Sequence, residues 1–168
     1  MMTFEIASMI ELASFAGAGL CIGLGAIGAA LGEGYTAGLA NEALSSRPEK
    51  SGEILKNMLV GQAVAESAAI FALVIAILLI FLEPPAESIL TASALLGAGL
   101  CMGFGAIGSG VGAGYPGGEA CLGIARQPSV TPRLTTNMLI GSAVCQTPAI
   151  FSMVVALMLM FMRSEERV

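Results

Sequence analysis

Four apolar stretches, roughly over 6–40, 54–82, 88–125 and 134–162, constrain this chain more than any other feature. Each exceeds the about 20 residues that carry a helix across a bilayer. Helices near 30 residues would be roughly 45 Å long, at about 1.5 Å per residue, and would project beyond the hydrocarbon. Strand spans are not expected, because the apolar runs do not alternate and an open sheet edge is not tolerated in lipid. The composition agrees: 56% hydrophobic and 11% charged is too apolar for a soluble domain of this size. The pattern predicts an all-α integral membrane protein with four transmembrane helices.

Composition also excludes several chemistries. The chain has no His and no Trp, so imidazole metal sites and histidine-based catalysis are ruled out. A net charge of -5 without clustered Lys and Arg argues against a nucleic-acid partner. Cys21, Cys101, Cys121 and Cys145 sit in or beside apolar runs with no C-x-x-C pair, and read as small buried hydrophobes. No basic residue precedes the first apolar run, so the N-terminus does not read as a cleaved signal peptide. Arg47, Lys50 and Lys56 flank the first connection and Arg126 and Arg133 the third, whereas the middle one, Glu83-Pro84-Pro85-Ala86-Glu87, has no basic residue. The positive-inside rule then places the first and third loops in the cytoplasm and both termini outside the cell membrane. Arg163 and Arg167 count against this, though Glu165 and Glu166 accompany them.

The chain repeats itself at an offset of 80. Residues 17–28, GAGLCIGLGAIG, return as 97–108, GAGLCMGFGAIG, with ten of twelve identical. Tyr35 matches Tyr115, Pro48 matches Pro128, and Asn57-Met58-Leu59 matches Asn137-Met138-Leu139. This divides the chain into a first hairpin (1–82), an extracytoplasmic linker (83–87) and a second hairpin (88–168). Two helices per copy make the repeats parallel, unlike the inverted repeats of many transporters. The odd-numbered helices carry Gly19-x-x-x-Gly23, Gly28-x-x-x-Gly32, Gly34-x-x-x-Gly38, Gly108-x-x-x-Gly112 and Gly114-x-x-x-Gly118. Small residues let membrane helices approach closely, and glycine on several faces calls for neighbours on several sides. A tightly packed inner layer of an oligomeric ring is expected. Phe71, Leu78, Phe81, Met153, Met158 and Phe161 on the even-numbered helices are expected to face lipid in an outer layer.

Two carboxylates fall inside apolar runs. In an antiparallel hairpin, residues at one height have a constant index sum, and Glu33 with Glu66 centres on the Arg47–Lys50 loop. Each lies roughly 20 Å of helix from that loop, near mid-membrane. Ionised groups there cost at least about 2.5–3.5 kcal/mol by insertion scales and are functional by default. In the second copy Gln146 replaces Glu66 and Ala113 replaces Glu33, so neither place can carry a charge. Ser67 puts a hydroxyl beside Glu66, and Thr147 takes the matching place. Pro148 has no N–H, so it cannot bond the Val144 carbonyl; that carbonyl is open to an ion or water, or the proline simply kinks the helix.

The segments Gly32-Glu-Gly-Tyr-Thr-Ala-Gly38 and Gly61-Gln-Ala-Val-Ala-Glu-Ser67 resemble the rotor-ring proteolipid, or c-subunit, of rotary ATP synthases and ATPases. Arg126-Gln127-Pro128 resembles the polar loop of the F-type proteolipid, and duplication into four helices resembles the V-type proteolipid. Within that family the chain is most similar to the duplicated, V-type-like proteolipid of the sodium-translocating F-type enzymes of acetogenic anaerobes, which shares its ring with single-hairpin subunits. The resemblance implies a coupling cation, Na+ or H+, held at Glu66, with Glu33, Ser67 and the Val64 carbonyl as further ligands, and no other cofactor. It implies that Val144 and Thr147 complete a site whose carboxylate lies on another hairpin, in this chain or the next. It implies a stator a-subunit as partner, central-stalk proteins gripping the loops at Arg47, Pro48, Arg126, Gln127 and Pro128, other ring subunits, and lipid. Catalysis would lie on other chains. Glu33 stands where sodium-binding rings often have Gln, while Ala68 and Phe71 stand where they commonly have Thr and Tyr. Two ionised carboxylates around one Na+ would leave a buried charge of minus one, so one of them is expected to keep a proton. Two other classes compete: a small multidrug/proton-exchange transporter, which would need an aromatic-lined chamber, and a structural pore-forming proteolipid, which would not need Glu66 beside Ser67.

Overall fold

A computed structural model describes residues 2–83 and 88–161. Most of the Pro-Pro linker, and Arg163, Glu165, Glu166 and Arg167, lie outside the described residues. Helices α1 (Met2–Ser46), α2 (Ser51–Phe81), α3 (Ile89–Arg126), α4 (Thr131–Cys145) and α5 (Thr147–Phe161) account for nearly all of them, and no strand occurs among them. Among the described residues, four segments are long and apolar enough to cross a membrane: Glu5–Ser46, Pro48–Phe81, Ile89–Arg126 and Pro128–Phe161.

Helix α1 outruns its apolar stretch at both ends, because nothing between Asn41 and Ser46 stops it. The stop is Pro48, which forces the preceding residue out of the helical region. Arg47 accordingly sits at φ -142°, ψ 68°, and Gln127 before Pro128 at φ -138°, ψ 78°. A single 3-10 turn follows in each case, Pro48–Lys50 and Pro128–Val130, and the return helix starts at once. The two loops are therefore copies in conformation as well as in sequence. At the other end of the bundle Ser88 caps α3, its Oγ accepting from the Thr91 N–H at 3.1 Å.

The fourth apolar stretch is two helices rather than one. Gln146 stands between α4 and α5, its N–H turned to the Ala143 carbonyl at 3.2 Å. The break falls where Pro148 removes the donor for the carbonyl four residues earlier. Helix α2 has Ala68 at the matching place and runs through unbroken.

Helices α1 and α3 pack along their whole length, α2 lies against both, and α4–α5 lie against α3 and only lightly against α2. The α1–α3 seam is glycine on glycine. A Cβ at Gly110 would lie 2.6 Å from the Gly28 carbonyl carbon, and one at Gly28 would lie 2.5 Å from the Ile107 Cα. Gly32 meets Gly114, and Gly17 meets Gly99, with equally little room. Each of these glycine–glycine pairs is offset by 82, so the hairpins lie parallel with almost no axial shift. Around this seam the core forms two clusters. The larger contains Ile75, Leu79, Met102 and Met160; the smaller, at the loop end, contains Ile54 and Ile124. The level between them is built of small buried residues, among them Gly61, Ala65, Ala113 and Gly117.

The outer-layer expectation needs revision for half of its residues. Phe81, Met158 and Phe161 are exposed, but Phe71, Leu78 and Met153 are partly buried against the larger core. Phe71 and Leu78 stand seven and fourteen residues beyond Val64, which keeps them on the side of α2 that turns toward α4–α5.

Candidate functional site

Glu66 is the sixteenth of the 31 residues of α2. It lies 15 residues from the start of α2, and Glu33 lies 13 residues from the end of α1. That is about 22 Å and about 20 Å of helix from one loop, so the two carboxylates share a depth. Glu66 stands within electrostatic reach of Glu33. Glu33 is half-buried and Glu66 exposed on the flank of the single chain. One turn before Glu66 on the same face, Gln62 donates its amide to the Glu33 backbone carbonyl at 3.3 Å. In the second hairpin Ser142, at the matching place, donates to the Ala113 carbonyl at 3.1 Å. Gln62 was not among the residues expected from the sequence, although its spacing of four from Glu66 marks it as a neighbour of the site.

Val64 and Ser67 point elsewhere. The Val64 carbonyl accepts from the Ser67 hydroxyl at 2.6 Å and from the Gln146 side-chain amide at 2.7 Å. At about 100° per residue, Glu66 is about 160° around α2 from Val64 and about 100° from Ser67. The expected ligands thus divide between two flanks of the first hairpin. Glu66 and Glu33 stand on one, and Val64 and Ser67 face the second hairpin on the other. Gln146 is 8% exposed, and its Oε1 is buried with no hydrogen-bond partner. Ala113 beside it is fully buried and brings only a methyl group. Val144 is exposed and Thr147 half-buried on α4–α5.

The break at Gln146 has its own support. With no intact helix ahead of it, the Ala149 N–H donates to the Ser109 hydroxyl on α3 at 2.9 Å. Ser109 is fully buried. The first hairpin has Ala29 at that place and Ala68 where Pro148 stands, so hydroxyl and proline occur together and are absent together.

At the loop end the hairpins are laced by side chains. Thr131 donates to Glu53 at 2.8 Å, Thr135 to the Asn57 side-chain oxygen at 2.9 Å, and Lys50 pairs with Glu53 at 2.9 Å. Arg47 and Arg126 line one cleft together with Glu42. The loops bearing Arg47-Pro48 and Arg126-Gln127-Pro128 therefore share one end of the bundle. The cysteines are all free; Cys21 donates to the Ala72 carbonyl at 3.2 Å and Cys101, its repeat partner, to the Ser152 carbonyl at 3.7 Å.

Two parallel helical hairpins, joined by a glycine seam and holding a carboxylate pair half-way along one of them, define a duplicated membrane proteolipid. Comparison with known proteins is specific. The sequence model of the ATP synthase C-subunit family matches residues 16–79 and again 96–159. The ATP synthase c-subunit of Natranaerobius thermophilus is 46% identical over 77 residues, 46% of this chain and 88% of the relative. The ATP synthase c-subunit 2 of Cereibacter sphaeroides is 43% identical over 75 residues, 45% of this chain and 90% of the relative. The chloroplastic ATP synthase c-subunit of Ostreococcus tauri is 45% identical over 76 residues, 45% of this chain and 93% of the relative. The chain belongs to the ATP synthase C-subunit family, as a tandem duplication of its hairpin. It is a multi-pass membrane protein and not itself an enzyme.

Proposed function

We propose that this chain is a rotor-ring component of a rotary ATP synthase, carrying one coupling cation per chain at Glu66. The carboxylate pair at the midpoint of the first hairpin carries this reading, because a charge at that depth has no place in a merely structural helix pair. Ring formation is supported by the glycines. The places of a Cβ at Gly99, Gly103, Gly114 and Gly118 on α3 are filled by α1, while those at their repeat partners on α1, Gly19, Gly23, Gly34 and Gly38, are open. A surface that is filled on one copy and open on its twin is heterologous, the kind of interface that forms a ring where its rotation closes.

The step between the hairpins takes residue i to residue i+82. Repeated from the second hairpin, it carries Val144 to Glu66 of a further subunit, just as it carries Val64 to Gln146 within the chain. The site is then completed between subunits: Glu66 and Glu33 from one, the Val144 carbonyl and the Thr147 hydroxyl from the next. Pro148 leaves the Val144 carbonyl without its helical donor, which suits it to a cation. A carbonyl and a hydroxyl are ligands a hard cation uses and a proton does not need, so Na+ is the ion proposed. The basic loops lie in the cytoplasm and meet the central stalk; Glu66, exposed at the flank, meets the stator a-subunit.

A hydrophobic carbodiimide tests this, since it reacts with protonated carboxyls. It should modify Glu66 and stop ATP-coupled transport, Na+ should slow the modification, and Glu66→Gln should abolish both labelling and transport. Protection by pH alone would make the proton the coupling ion, and a ring that transports without Glu66 would overturn the assignment.

A further inference from the structure

Helix α3 carries a single carboxylate, Glu119, which takes no part in the proposed ion site. It stands seven residues before Arg126, about 10 Å of helix from the loop, against about 20 Å for the Glu33–Glu66 level. With that level at the middle of a hydrocarbon layer roughly 30 Å thick, Glu119 lies inside the layer, on its loop side. A carboxylate at such a depth needs donors around it. The chain supplies one. The Tyr35 hydroxyl donates to Glu119 Oε1 at 3.2 Å, and the Tyr35 ring rests on Tyr115 with centroids 4.4 Å apart. Glu119 is otherwise exposed on the open flank of the second hairpin. The first hairpin has Leu39 at this place, and its contact is closed and apolar: Leu39 Cδ1 lies 2.9 Å from where a Cβ of Gly118 would be.

The geometry of the seam indicates what can cover Glu119. Along α1 and α3 each glycine pair joins a residue to the place two beyond its own in the following hairpin. Continued from the second hairpin into another copy of this chain, that step sets Gly97 against Gly19 and Gly112 against Gly34, so glycine again meets glycine; Gly108 falls against Ala30. In the single chain a Cβ at Gly19 or Gly34 would meet nothing within 4 Å, so both are open to such a neighbour. The same step sets Leu39 against Cys121, which is fully buried, and Glu119 against Asn41, which is exposed near the end of α1. Within the chain the place is thus an apolar pair. Between copies it becomes an acceptor facing a side-chain amide.

We infer that the open flank of the second hairpin receives the first hairpin of another copy of this chain, and that a hydrogen bond from the Asn41 amide to Glu119 selects it. Asn41 and Tyr35 then hold the carboxylate from the two sides of α3. A hairpin with an apolar residue in place of Asn41 would cover Glu119 without a second donor, and the uncompensated acceptor counts against that neighbour. The inference rests on the ring reading above and names the adjacent subunit within it.

The experiment uses the assembled ATP synthase with Asn41→Cys and Glu119→Cys in the one chain, oxidised in the membrane. A disulfide spans Cα atoms roughly 4.4–6.8 Å apart, a separation that helices in glycine contact provide. The expected result is a ladder of linked copies on non-reducing gels, absent from each single substitution and collapsed by a thiol reductant. A ring that still labels at Glu66 but yields no ladder overturns the inference and leaves the ring reading standing. A chain never recovered in a ring sinks that reading itself. Should the double substitution fail to assemble, a photo-crosslinking residue at position 41 decides. Its adduct should map to α3 of a second copy, around Glu119, and an adduct on its own chain or on any other protein overturns the inference. The bond has its own check in the temperature at which the ring dissociates in detergent. Asn41→Leu should lower it and Glu119→Leu in the same chain should recover most of the loss; no recovery overturns the selecting bond.

Discussion

The helix break of the second hairpin has a partner residue that the first hairpin lacks. Pro148 breaks the helix, and Ser109 accepts the amide that the break orphans. Ser109→Ala should therefore destabilise the chain by about 1–3 kcal/mol, the cost of a buried donor with nothing to bond. In a Pro148→Ala background the helix can close through this point, the Ala149 N–H regains its helical acceptor, and Ser109→Ala should cost far less. A double-mutant cycle of thermal stability in detergent would check this, and additive effects would show that the two residues are independent. Gln62 makes a second case at this scale. Its amide holds the α1 backbone at Glu33, so Gln62→Leu should weaken Na+ protection of Glu66 several-fold while leaving the carboxylate available to carbodiimide. Unchanged protection would mean that the bond at 3.3 Å does not position the pair.

Helices in this chain are differentiated by what their glycines meet. Gly110 has no space for a Cβ because the Gly28 backbone is in contact, so Gly110→Leu should disrupt the fold of the single chain. A Cβ at Gly34 would meet nothing within 4 Å, so Gly34→Leu should leave the helical content of the chain unchanged. It should nevertheless prevent assembly, because Gly34 lies on the face proposed to receive the next subunit. Circular dichroism and electrophoretic mass in mild detergent separate the two outcomes. A Gly34→Leu ring of normal size would place the subunit interface elsewhere. The exposed Phe81, Met158 and Phe161 belong to another face and are expected to tolerate Leu without effect on assembly.

For the molecule as a whole, duplication followed by loss of one carboxylate pair changes the gearing of a rotor. On the proposed function, each chain would contribute two outer-helix positions to a ring and one ion site. Replacing two single hairpins by this chain removes one ion per turn, while the number of ATP molecules per turn is set by the catalytic head. The ion-to-ATP ratio falls, so at a fixed ion-motive force less energy is available for each ATP made. Counting bound Na+ per purified ring against the number of chains checks this. One ion per chain is expected, and one ion per outer-helix position would overturn the gearing argument.

Much of this was legible in the amino-acid order, because its physics is local. Apolar length determines the spans, since lipid leaves the backbone no partner but itself. The offset of 80 exposes the duplication, and the antiparallel index sum places Glu33 and Glu66 at one depth. The loss of charge at Gln146 and Ala113 follows from the same alignment. What the tertiary structure decided is how the helices are turned and shifted against one another. No window of sequence states that α1 and α3 settle at an offset of 82, because that register comes from glycine backbones meeting across the seam. That setting turns Val64 and Ser67 toward Gln146 and leaves Glu66 on the opposite flank. It also brings Ser109 beneath an amide 40 residues away. Rotation about a helix axis costs a helix nothing by itself; only the close packing of neighbours selects one angle, and with it the flank on which the carboxylate pair stands.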